Sequence, residues 1–83
     1  MNKLIHFTAN WCAPCKKSQP VVDKFINSTK IEYEQIDVDL FPDKAKEYNI
    51  LGVPTFISYK DGKQYDRHVG VATNFLLQGM FNL

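Results

Sequence analysis

The only two cysteines of the chain, Cys12 and Cys15, stand three positions apart, where an apolar strand pattern over Lys3 to Thr8 gives way to a helical one. On a helix, three steps of roughly 1.5 Å rise and 100° of turn at a radius of roughly 2.3 Å separate two Cα atoms by about 5 Å. A disulfide requires about 4.4–6.8 Å. The pair therefore opens and closes as dithiol and disulfide with little backbone movement. With Cys12 at the N-cap or first turn, its sulfur faces N–H groups that have no partner within the helix, and the positive end of the macrodipole. Both favour the thiolate, which is the nucleophile, and Lys16 and Lys17 add positive charge nearby. Pro14 suits a first turn, where no helical N–H bond is lost. Cys15, one turn further in, is expected to be the more buried and to resolve a mixed disulfide rather than start one. The reading is a redox-active dithiol.

Two blander roles fit less well. Structural zinc wants four ligands, and the other candidates here, His6 and His68, are far apart and not in ligand spacing. No metal site is expected. A purely structural disulfide across two residues closes almost no loop, so it would add little stability through chain entropy.

The 83 residues are expected to form one domain, 1–83, with a modest core. Acids and bases are interspersed at a formal net charge of +1, with no basic stripe for nucleic acid. No apolar run approaches the roughly 18–20 residues of a membrane span, and His6 interrupts the first apolar run before it resembles a signal peptide. A cytoplasmic, reducing location is expected, in which a CxxC is more often catalytic than structural.

Lys3 to Thr8 reads as a central strand. A helix follows from about Ala13 to Ser28, with Val21, Val22, Phe25 and Ile26 as its apolar stripe and a kink expected at Pro20. Ile31 to Val38 alternates as a half-buried strand, with Ile31 and Tyr33 inward and, after a slip, Ile36 and Val38. Pro42 and Asp43 suit the first turn of a second helix, which ends near Tyr48-Asn49. Pro54 to Tyr59 and Gln64 to Val69 form a hairpin about Asp61-Gly62. Gly70 ends it, and Thr73 caps a last helix through Phe81, with Phe75, Leu76, Met80 and Leu83 expected inward. The order is βαβαββα: an α/β fold with a four-stranded mixed sheet and helices on both faces. The dithiol then falls at the carboxyl end of the first strand, where ligand sites of such sheets lie.

Trp11-Cys12-Ala13-Pro14-Cys15-Lys16 resembles the Trp-Cys-Gly-Pro-Cys-Lys segment of thioredoxins. Pro20 stands where that family has a helix-kinking proline, Gly52-Val53-Pro54-Thr55 is similar to its cis-proline segment, Lys60-Asp61-Gly62-Lys63 to its hairpin, and Val69-Gly70 to its small residue near the site. The resemblance covers essentially the whole chain, without the N-terminal strand and helix of full-length thioredoxins. It implies a cis Pro54 beside the cysteines and a Val53 whose backbone pairs with an extended substrate segment. Trp11, Ala13, Pro54, Gly70 and Val71 would form the apolar surface that receives it. It further implies disulfide-containing protein substrates, no bound cofactor beyond the Cys12–Cys15 disulfide, an external reductase of the thioredoxin reductase type, and a monomer.

The chain departs from the family mildly at Ala13, which stands for glycine, and more sharply at two other places. His6 replaces a buried aspartate, and Gln35 replaces the lysine beside it. His6 is expected to accept the proton of Cys15, directly or through water, with a pKa better matched to neutrality than a carboxylic acid's. Two alternatives remain at this point: a glutaredoxin-like, glutathione-dependent oxidoreductase, and a non-catalytic accessory subunit that uses the rim around Trp11.

Overall fold

The computed structural model describes residues 1–83. In chain order the elements are β1 (Asn2–Thr8), α1 (Ala13–Thr29), β2 (Glu32–Asp37), α2 (Pro42–Glu47), β3 (Thr55–Lys60), β4 (Lys63–Val69) and α3 (Asn74–Met80). The sheet runs β2-β1-β3-β4, with β1 parallel to β2 and antiparallel to β3, and β3 antiparallel to β4. This is the expected βαβαββα mixed sheet.

β1 lies between two strands and is covered on both faces, by α1 and the end of the chain on one and by Val38, Tyr48, Ile50 and Val53 on the other in place of the expected helix, which is why its pattern is continuous rather than alternating. Leu4 and Phe56 pack with Val22 and Phe25 of α1 and with Leu77, Met80 and Phe81 at the end of the chain. Ile5, Phe7, Ile36 and Ile57 pack on the other face, against Val38, Tyr48, Ile50 and Val53. β2 therefore needs no slip. Tyr33 pairs in register with Leu4, and Ile36 with Phe7; they are three positions apart, an odd step, so each serves a different covered face.

α1 runs through Pro20 without a break, and it ends at Lys30 in the left-handed conformation with φ 60°. Asn49 takes the left-handed conformation beyond α2, at φ 56°. Asp61 and Gly62 both have positive φ, 54° and 82°, as a two-residue hairpin turn of the strand-matching hand requires. The inward set of α3 differs from expectation. Phe75 is 86% exposed and Leu83 67% exposed. With Thr73 as N-cap, accepting from the Leu76 N–H at 3.1 Å, the buried phase falls on Leu77, Met80 and Phe81. That is the i, i+3, i+4 set, whereas Phe75 and Leu83 lie off it.

Candidate active site

β1 delivers the chain to the site, and the turn after it starts α1. The N–H of Cys12 donates to the Ala9 carbonyl at 3.2 Å. Cys12 is the N-cap of α1, with extended backbone (φ −87°, ψ 105°), and its Sγ accepts from the Cys15 N–H at 3.1 Å. Pro14 lies in the first turn. Cys12 and Cys15 are joined as a disulfide with Cα atoms 5.2 Å apart, which matches the separation expected from helix geometry.

The expected difference in burial is absent. Cys12 is 3% exposed and Cys15 2%, because the pair forms one apolar cluster with Ala9, against which Val38 and Val53 pack. The sulfurs differ in surroundings instead. Cys15 lines a cleft of about 390 Å³ with Lys16, Gln19, Gln35, Asp37, Leu40 and other residues. Trp11, Val38, Ile50, Leu51, Gly52 and Val53 bound a smaller apolar hollow of about 170 Å³. Trp11 is 69% exposed, and its indole N–H donates to Asp39 at 2.8 Å.

The other residues of the expected rim divide. Ala13 and Val71 are exposed, and Val53 and Gly70 are half-buried. The Val53–Pro54 peptide bond is cis. Pro54, however, is fully buried; its carbonyl accepts from the Gly70 N–H at 2.9 Å. It shapes the rim from beneath and offers no surface to a partner. Gly70, at φ 119°, holds a conformation that side chains with a Cβ rarely adopt. The Val71 carbonyl is held by His68 Nε2 at 3.2 Å. Val53 makes no backbone hydrogen bond within the chain.

His6 is completely buried on the α1 side of the sheet, stacked on Phe56 with ring centroids 4.4 Å apart. Its Nδ1 lies 3.0 Å from the Tyr33 hydroxyl, and no protein group partners its Nε2. Burial pushes its pKa from 6.5 down to about 4, against a smaller upward pull from Asp23. The expectation of titration near neutrality is thus corrected: enclosure among apolar groups penalises the imidazolium. His6 is neutral at pH 7, with one nitrogen free to accept. It has no hydrogen bond to Cys15; Gln35, its neighbour in register, lines the cleft that Cys15 shares.

Sequence reasoning missed Asp39, Leu51 and the Tyr33 hydroxyl. Asp39 is 28 positions from Trp11, beyond any local pattern. Leu51 is fully exposed beside the apolar hollow, and an isolated surface leucine carries no sequence signal.

The family model described as thioredoxin matches residues 1–81. The chain belongs to the thioredoxin family. It is 41% identical over 68 residues to Thioredoxin-2 of Pyricularia oryzae, covering 81% of this chain and 40% of that protein. It is 40% identical over 75 residues to Thioredoxin H2 of Arabidopsis thaliana, covering 83% and 54%. The chain thus spans about half the length of these curated relatives. Oxidised mitochondrial thioredoxin 3 of Saccharomyces cerevisiae superposes with a TM-score of 0.89 at 36% identity, over 99% of this chain and 78% of that one. Thioredoxin-family membership favours neither the glutaredoxin nor the accessory-subunit alternative. No helix is long and apolar enough to cross a membrane.

Proposed function

We propose that this thioredoxin-family chain is a thiol–disulfide oxidoreductase that reduces disulfides in protein substrates through Cys12 and Cys15. The observation that carries the reading is the bridged pair at the mouth of α1, where Cys12 Sγ caps the helix by accepting the Cys15 N–H. In the dithiol, the same N–H and the helix terminus stabilise the Cys12 thiolate.

The cycle follows from that arrangement. The Cys12 thiolate attacks one sulfur of the substrate disulfide, forming a mixed disulfide and releasing the other sulfur as a thiolate, which takes a proton from water. Cys15 then gives up its proton and attacks Cys12 Sγ; the Cys12–substrate bond breaks and the second substrate thiolate leaves. Two electrons pass to the substrate, which ends as two thiols, and Cys12–Cys15 ends as the disulfide. Neutral His6 takes the Cys15 proton transiently and returns it to a leaving thiolate. Trp11, Ala13, Gly70 and Val71 receive the substrate segment, and the unpaired backbone of Val53 joins it as an added strand. Lys16, exposed at the cleft, favours the thiolates electrostatically. An external reductase of the thioredoxin reductase type returns the disulfide to the dithiol. The chain works as a monomer in a reducing compartment such as the cytoplasm, and needs no cofactor beyond its own disulfide.

Reduction of insulin disulfides, run in parallel with thioredoxin reductase and with glutathione as donor, tests this. Turnover is expected with the reductase, absent in Cys12→Ser, and halted in Cys15→Ser at a stable mixed disulfide through Cys12. Efficient recycling by glutathione but not by the reductase, or failure of Cys15→Ser to trap substrate, overturns the assignment.

A further inference from the structure

The Tyr33 hydroxyl has three polar neighbours: Gln35 Oε1 at 2.9 Å, Gln19 Nε2 at 3.4 Å and His6 Nδ1 at 3.0 Å. A phenol has one proton to give. Gln19 Nε2 also donates to an Asp23 carboxylate oxygen at 2.8 Å; a carboxylate only accepts, which fixes that amide with its NH₂ toward Tyr33. Tyr33 spends its single proton on Gln35 Oε1. Its oxygen is then left to accept from Gln19 and from His6. Within this network the imidazole must carry its proton on Nδ1, and Nε2 is a bare lone pair in a completely buried ring.

We propose that Tyr33, held by Gln19 and Gln35, is a positioning residue that locks His6 in the Nδ1–H tautomer so that Nε2 is the acceptor for the Cys15 proton. The inference rests on the reading of His6 as that acceptor. Gln19 and Gln35 line the same cleft as Cys15, so the groups that orient Tyr33, and through it His6, lie beside that cysteine. When Cys15 attacks Cys12 Sγ, its S–H bond breaks and the proton joins the Nε2 lone pair. Tyr33 then faces an unchanged Nδ1–H, and no rearrangement of the network is required. The opposite tautomer would carry its N–H on Nε2 and leave only Nδ1, which faces Tyr33, to accept. The titratable groups around His6 are Tyr33 from β2, Asp23 from α1, and His68 of β4 on the neighbouring Phe56 ring; α3 supplies none.

Long-range ¹H–¹⁵N spectra of the imidazole, recorded on the full chain at pH 7 in both redox states, distinguish the protonated nitrogen from the bare one. Nδ1 is expected to be protonated in the wild type, and the preference to be lost in Tyr33→Phe. In Tyr33→Phe, release of substrate from a preformed Cys12 mixed disulfide is expected to slow by about tenfold, a part of the roughly hundredfold or more that a general base supplies. Its pH midpoint should move upward while alkylation of Cys12 in the reduced protein stays at the wild-type rate. A proton on Nε2 in the wild type overturns the proposal, and so does a wild-type pH profile in Tyr33→Phe. His6→Ala separates the two levels: an altered profile there with a normal one in Tyr33→Phe sinks only the role of Tyr33, whereas a normal profile in His6→Ala sinks both. Should Tyr33→Phe not fold, the wild-type spectrum decides alone.

Discussion

His6 is enclosed completely, yet one of its ring nitrogens has no protein partner. The cost of charging such a group appears in stability. Its folded pKa of about 4 lies below the ordinary 6.5, so between those values the unfolded chain binds more protons than the folded one, and stability rises with pH. The contribution is fully present above pH 6.5 and is lost as pH falls toward 4. At about 1.4 kcal/mol per pH unit it amounts to about 3 kcal/mol. Between pH 7 and pH 4.5 the wild type is expected to lose about 2–3 kcal/mol more than His6→Phe, read from urea midpoints, because the carboxylates are common to both. An equal loss would place the imidazole in a more polar setting than the one described. His6 was legible as a departure within a recognisable motif. Its tautomer was not, because alternation places Tyr33 inward without saying what its hydroxyl meets two residues along the strand.

The elements were read closely where local chemistry dictates them: Pro14 and Cys12 at the start of α1, Asp61-Gly62 in the hairpin and Thr73 capping α3. They were misread where a second packed layer intervenes, since burial on both faces removes the alternation that a one-sided strand shows, and the phase of a short helix depends on its cap. One tie between elements left no trace in sequence. The buried Ser18 Oγ in α1 accepts the Ala72 N–H at 3.0 Å, 54 positions away, in the segment that leads into α3. Ser18→Ala leaves that buried N–H without a partner and is expected to destabilise the protein by about 1–3 kcal/mol. Ser18→Thr retains an acceptor, although the added methyl must fit a fully buried site. Chemical denaturation of Ser18→Ala checks the magnitude, and a change below about 0.5 kcal/mol would mean that water reaches Ala72 freely.

For the molecule as a whole, a chain this small holds few large core side chains, so each weighs heavily. Phe56 is fully buried in a central strand between the rings of His6 and His68. Phe56→Ala is expected to cost about 3–5 kcal/mol, a large part of a stability of about 5–15 kcal/mol. Phe75→Ser, at an exposed position, should change stability by less than about 0.5 kcal/mol. Thermal melts of both variants test whether the core is placed correctly; a large loss in Phe75→Ser would contradict the phase of α3. The two hollows beside the disulfide are separate, one bounded by Trp11 and Val53 and the other reaching Cys15. A guest seated over the tryptophan stoppers only the first of these. The mouth beside Cys15 stays uncovered by such a visitor, so that cysteine keeps an opening of its own.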